Sequence, residues 1–297
     1  TGKKVTVTFN YRYSPHRAKI YELLRSGAIG KITSVDFHWY LDIHHGADYF
    51  RRWHRLRENS GSLWVHKATH HFDLLNWWID SDPSEVFAYG SLEHYGKNNS
   101  FRSTNCRPCE HKDKCKFYWD MTKDKRLMAL YADNQQYDGY LRDGCVFKED
   151  VNIYDKMAAS IKYANGVQVS YSLTTYSPYE GYRIAFNGTE GRLEAWIQES
   201  NPPGEKKNYD ELMLTKNFEK PEFIKVFTPE GGHGGGDKLL KDKIFIPGTA
   251  DALRQSAGVR DGALSCLIGI AARNSCDSGK PVKIADLTSI KPASQKA

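Results

Sequence analysis

The sequence predicts an α+β domain built on an open, mostly antiparallel β-sheet with flanking helices. Three observations carry that expectation. From residue 150 onward, alternating β-branched and polar runs are joined by short turn signals, above all Asn165-Gly166 in "DKMAASIKYANGVQVSYSLTTYS", the Asn-Gly pair that two-residue hairpin turns favour. Helical segments stand before and after that β-rich stretch rather than alternating strand by strand with it. And 297 residues at 40% hydrophobic content suffice for a sizeable core in one large domain or two modest ones.

Taken in order, "KKVTVTF" alternates and reads as a strand. "SPHRAKIYELLRSGAIG" follows as a helix, with Ser14 at the N-cap, Pro15 in the first turn and Gly27 closing it. "KITSVDFHWYL" alternates again; "YFRRWHRLRENSGS" reads as a basic, aromatic loop. "LWVHKATHHFDLLNWW" then forms one helix to about Ile79, and "SEVFAYGSLEHYG" a strand. A polar, cysteine-bearing insertion occupies about 97–148. After the Asn165-Gly166 hairpin, "YRIAFNGTEGRLEAWI" and "ELMLTKNFEKPEFIKVFTP" predict two more strand pairs. Helices are expected at roughly 237–245 and 249–279, with "VKIA" as a closing strand.

Charge and composition narrow the function classes. The net charge of +6 is spread over 42 basic and 36 acidic residues with no long Lys/Arg run, which gives nucleic-acid binding little support. No stretch approaches the apolar length of a membrane span. The chain opens without Met and without a signal-peptide pattern, which favours the cytoplasm over the periplasm without fixing either.

The chemistry concentrates in the 63–78 helix. Its apolar stripe is Val65, Ala68, Phe72, Leu75 and Ile79; His66, His70 and Asp73 group on another face. That face is a solvated polar surface, a metal site or an acid/base site. H-x-x-x-H can share one metal ion, but Lys67 stands where a zinc peptidase needs its general-base Glu. A metal-dependent hydrolase on His66, His70 and Asp73 is therefore disfavoured, whereas histidine suits proton exchange with a hydroxyl.

"FNYRYSPHRAKIYELLRSGAIGKITSVDF" and "SGSLWVHKATHHFDLLNWWI" together resemble the C-terminal substrate domain of the Gfo/Idh/MocA oxidoreductases, with its dihydrodipicolinate-reductase-like fold. Asn10, Arg12, Pro15, Gly27, Gly30, Gly61, His70, Asp73 and Trp77 fall in register with the family pattern. The resemblance continues through "YANGVQVSYSL", "FNGTEGRLE" and the final helices. It implies an enzyme that oxidises a sugar, polyol or glycoside hydroxyl with NAD or NADP, His70 exchanging the hydroxyl proton with help from His66. Lys67, Asp73, His233 of "GGHGGGD", Tyr179 and Arg183 are the expected substrate contacts. This sequence departs from the pattern at His66, where relatives carry Asp, at Ser62, which replaces a second Gly, and at the additional Lys67 and His71.

The resemblance also implies a division of labour. The family's G-x-G-x-x-G dinucleotide unit is absent from the sequence, the E-K-P tripeptide at 219–221 stands in a predicted strand pair and follows no such unit, and "GGHGGGD" lies in no strand–turn–helix unit. Residues 1–12 are then the last strand of a dinucleotide-binding domain that lies outside this chain, and 13–297 form the substrate and oligomerisation domain. The cofactor is bound mainly by that missing domain, this chain alone is inactive, and the open sheet pairs copies into a homo-oligomer. An NAD-dependent glycosidase of the same family and a non-catalytic carbohydrate-binding or assembly module are the alternatives.

Cys106-x2-Cys109-x5-Cys115, with Cys145 in "RDGCVF", forms a second constellation. Three thiols in a polar loop with a fourth downstream suggest a structural zinc, against disulfides or an iron–sulfur cluster. Cys266 and Cys276 read as small buried hydrophobes.

Overall fold

The computed structural model describes residues 2–3, 5–200, 207–229 and 231–296. Nine strands form one sheet: β1 (Ile32–Asp42), β2 (Pro83–Ser91), β3 (Lys156–Tyr163), β4 (Gln168–Ser177), β5 (Glu180–Gly188), β6 (Gly191–Ser200), β7 (Tyr209–Lys216), β8 (Glu222–Phe227) and β9 (Val282–Lys283), in the spatial order β8-β7-β6-β5-β1-β4-β3-β2-β9. Every pairing is antiparallel except β1 with β4, which run parallel from Ser34↔Gln168 to Tyr40↔Thr174. The three predicted hairpins are β3–β4, β5–β6 and β7–β8. At the first, Gly166 takes φ +90° and Tyr163 N–H donates to Val167 O at 2.9 Å.

The helices are α1 (Pro15–Arg25), α2 (Ile43–Arg51), α3 (Arg57–Ser60), α4 (Leu63–His66), α5 (Ala68–Ile79), α6 (Lys125–Leu130), α7 (Gln135–Asp138), α8 (Gly236–Phe245) and α9 (Val259–Ser278). Helices α1, α2, α4, α5 and α9 supply the side chains that pack on the inner sheet face. The period-two alternation of β1 buries Val35, Phe37, Trp39 and Leu41 completely against them. Trp64, Phe72, Leu75 and Trp78 meet these residues from α4 and α5. The opposite face is left open, carrying Asp36, His38, Tyr40, Arg183 and Trp196.

Several local expectations are corrected. "VTVTF" is not a strand; Val7 makes a single bridge to Ala257, while Thr1 and Lys4 lie outside the described residues. The predicted loop at 49–62 is largely helical: α2 ends at Arg51 and α3 follows. Its start is capped by Asp42, whose carboxylate accepts from His44 and His45 N–H at 2.9 and 3.1 Å. The helix expected from 249 begins only at Val259, because Asp251 holds a turn by accepting from Gln255 and Ser256 N–H. Ser14 sits at the N-cap of α1, but its hydroxyl donates to His233 O at 3.2 Å and accepts from Arg17 Nη1 at 2.8 Å instead of capping.

Candidate active site around His70

The helix expected over 63–78 is two helices, α4 and α5, meeting at Lys67. Just ahead of α4, Ser62 adopts φ 72° and ψ 174°, a backbone region open to glycine at little cost. This is where the family pattern carries its second Gly. Ser62 Oγ accepts from Trp64 N–H at 3.3 Å, and its own N–H donates to Ser60 Oγ at 3.0 Å. The turn projects Lys67 inward, beneath His66 and His70.

Lys67 is 6% exposed. Its ammonium donates to the Tyr11 hydroxyl at 3.1 Å and lies 5.5 Å from the ring centroids of both Tyr11 and Trp39. Burial opposes the charge, but Tyr11, Tyr49 and Glu180 outweigh it, and the pKa lies above that of a free lysine. Tyr11 stacks on Trp39 at 5.7 Å, and Arg17, itself buried, covers Tyr11 at 4.2 Å.

His70 stands over this platform, 5.1 Å from the Tyr11 ring and 5.7 Å from Phe9. Its Nδ1 is buried and has no hydrogen-bond partner. Burial first, then the charges of Lys67 and Arg17, lower its pKa to about 4. The ring is therefore neutral at physiological pH and able to accept a proton.

His66 faces an adjoining cluster, with its ring 4.1 Å from His54, 5.6 Å from Tyr49 and 5.7 Å from Trp53. Its pKa is likewise lowered, by burial and then by Arg52 and Lys67, and its Nδ1 is also unpartnered. His233 completes the group: its ring lies 6.0 Å from Tyr11, and its Nδ1 pairs with Asp237 at 2.9 Å. Asp237 also accepts from Asn10 Nδ2 at 3.2 Å, so it ties the glycine-rich loop to the N-terminal segment rather than capping α8.

The remaining expected contacts fall elsewhere. Asp73 is fully buried and spends both oxygens on Arg12, at 2.8 Å from Nε and 2.5 Å from Nη2. Asp73 is held in a buried ion pair, and the polar face expected to gather His66, His70 and Asp73 is split. Tyr179 and Arg183 lie on the open sheet face. Tyr182 points inward to Trp39, so the next residue, Arg183, must point outward, where it stacks on Trp196 at 4.4 Å. Tyr179 meets Tyr40 and Trp196 there. A groove of about 630 Å³ runs along this face.

Two participants were missed from sequence. Tyr11 and Arg17 belong to segments read only as a strand end and an amphipathic helix. Arg17 lies three residues from Ser14 on the inner face of α1, a spacing that could have flagged it. His71, noted only as an additional histidine, is a core residue: its ring stacks on Trp39 at 4.0 Å and its Nδ1 is 2.7 Å from Tyr171 Oη.

Cys106, Cys109, Cys115 and Cys145 line one small pocket with Arg51, whose Nη1 donates to Cys106 Sγ at 3.2 Å. All are free thiols. Among the described residues no group of three or more His, Cys, Asp or Glu side chains is disposed to hold a metal ion, so the zinc expectation finds no support. Cys266 and Cys276 are half-buried rather than enclosed.

A sequence model described as "Oxidoreductase family, C-terminal alpha/beta domain" matches residues 21–284. The chain belongs to the Gfo/Idh/MocA oxidoreductase family. The Bacillus subtilis (strain 168) protein named "Putative oxidoreductase YteT" is 42% identical over 306 aligned residues, covering 96% of this chain and 70% of its own length. Family structures share the fold. Levoglucosan dehydrogenase in complex with NADH and levoglucosan superposes at a TM-score of 0.60 and 18% identity, covering 93% of this chain and 65% of that one. Aldose-aldose oxidoreductase from Caulobacter crescentus, complexed with glycerol, gives 0.57 and 14% over 95% of this chain and 64% of its own. A Thermotoga maritima oxidoreductase structure gives 0.57 and 18% over 94% of this chain; the chain spans 63% of that protein's length.

Proposed function

We propose that residues 13–297 form the substrate-binding domain of an NAD(P)-dependent oxidoreductase acting on a carbohydrate or polyol hydroxyl. The observation that carries this reading is the unpartnered, buried Nδ1 of His70 above the Tyr11–Trp39 platform. A neutral imidazole enclosed by rings, with Lys67 beneath it, is equipped to take the hydroxyl proton and to hold a ring-shaped ligand. His66 supports His70 from the adjoining cluster, and His233 closes the near side. A nicotinamide, when bound, supplies the hydride acceptor. This chain offers no dinucleotide unit among its described residues, so cofactor binding belongs mainly to residues outside it, with residues 1–12 as the link. The chain alone is expected to be inactive.

The test is nicotinamide reduction by the full-length protein across a panel of sugars and polyols. His70→Asn should lower kcat by about 10²–10⁴-fold with a smaller change in KM. Unchanged kcat in that variant, or no nicotinamide-linked turnover of any panel member, would remove the reading.

A further inference from the structure

A buried ammonium with no directly paired carboxylate is open to an anionic ligand, and Lys67 is one. Its interactions among the described residues are the Tyr11 hydroxyl and the faces of Tyr11 and Trp39; no carboxylate forms an ion pair with it. Glu180, the carboxylate whose field reaches it, is held by His45 Nδ1 at 2.8 Å. Arg17, the neighbouring cation, is already paired with Glu199. Lys67 thus has no directly paired carboxylate beneath His70. The two cations that weigh most on His70, Lys67 and Arg17, are both positive.

We infer that the site at His70 takes an acidic carbohydrate, a uronic acid whose carboxylate pairs with Lys67 while a ring hydroxyl faces His70. This deepens the oxidoreductase reading and rests on it for the role of the hydroxyl. Charge count selects the carboxylate over a phosphate ester. A single compact ammonium balances one negative charge, whereas a phosphate dianion calls for a second free cation or an arginine fork. Among the described residues Arg17 is the arginine on the platform, and it is committed to Glu199 and Ser14. Tyr11 fixes the ammonium by accepting one of its protons, which leaves the other two for a ligand.

The experiment is calorimetric binding to the full-length protein of matched pairs, D-galacturonate with D-galactose and D-glucuronate with D-glucose, beside a hexose phosphate ester. At least one uronate should bind about tenfold or more tighter than its neutral partner. Lys67→Gln should bring that ratio close to one, and Lys67→Arg, which keeps the charge, should retain most of it. The inference is overturned by a uronate bound no better than its neutral partner, by a preference that survives Lys67→Gln, or by tighter binding of the phosphate ester. If Lys67→Gln does not fold, the wild-type ratio decides. Turnover of neutral sugars without uronate preference would sink this inference and leave the oxidoreductase reading intact. Lys67-dependent uronate binding without nicotinamide reduction would do the reverse.

Discussion

His70 folds into surroundings that disfavour its charged form, with a pKa of about 4 against roughly 6.5 for a free histidine. His66, His54 and His71 are shifted in the same direction, each chiefly by burial. Between those limits the unfolded chain binds more protons than the folded one, so stability must fall as pH drops from about 6.5 toward 4. Urea unfolding at pH 7.5, 5.5 and 4.5 should show this loss, and His70→Asn should reduce it by about 1–3 kcal/mol. An unchanged slope in the variant would contradict the enclosure described for His70. The same shift keeps the imidazole deprotonated across the neutral range, so an acid limb near pH 6.5 in kcat/KM could not come from His70. His70 was legible because its register with the family motif coincides with its place on the helix. Asp73 was not: helical spacing says which residues share a face but not which element covers it, and here Arg12 arrives from the N-terminal segment to bury it. That Tyr179 and Arg183 lie on the open sheet face had a cue in the sequence, since Tyr182, Ile184 and Phe186 alternate as the inward set of β5.

The elements that shape the site meet at the α4–α5 turn, and α9 fixes its position. Gly269 of α9 lies so close to α4 that an added Cβ would stand 2.3 Å from Trp64 O, a backbone atom that cannot yield without moving the helix. Gly269→Ala should destabilise the protein by about 1–3 kcal/mol and should also lower sugar affinity, because α4 carries His66 and leads into Lys67. Chemical denaturation together with ligand titration checks both; a loss of stability with affinity intact would show that the turn is held independently of α9. The break at Lys67 had no sequence signal, as no Gly or Pro interrupts 63–79. Strand propensity in "VTVTF" was real but found no partner strand beyond one bridge, a reminder that pairing rather than propensity makes a strand. Asp42 ahead of α2 was a readable N-cap that the aromatic, basic composition downstream of it obscured.

Across the whole molecule, one sheet face is packed by helices and the other stands open with Trp196, Tyr179 and the Arg183 stack along its groove. Pairing of two copies through this face would cover those rings. Light scattering after size exclusion should give an oligomer, and Trp196→Arg, which sets a second cation beside Arg183, should shift it toward the monomer while changing monomer stability by about 1 kcal/mol or less. A monomeric wild type would remove the idea. Sheet class and hairpins were legible from alternation and turn residues; strand order was not, because nothing local reveals that β1 lies between β5 and β4. That parallel pairing joins Ser34 to Gln168 across a connection that holds α2 to α7, β2, β3 and the cysteine-bearing segment. It makes β1 a strand that emerges before the strands it pairs with and must wait. Until the β3–β4 hairpin and β5 exist to receive it, Phe37 and Trp39 have nowhere to be buried, and closing so long a loop is the kind of step that slows folding. The chain therefore exposes its most aromatic strand longest, and the completion of the central sheet coincides with the assembly of the platform on which His70 rests.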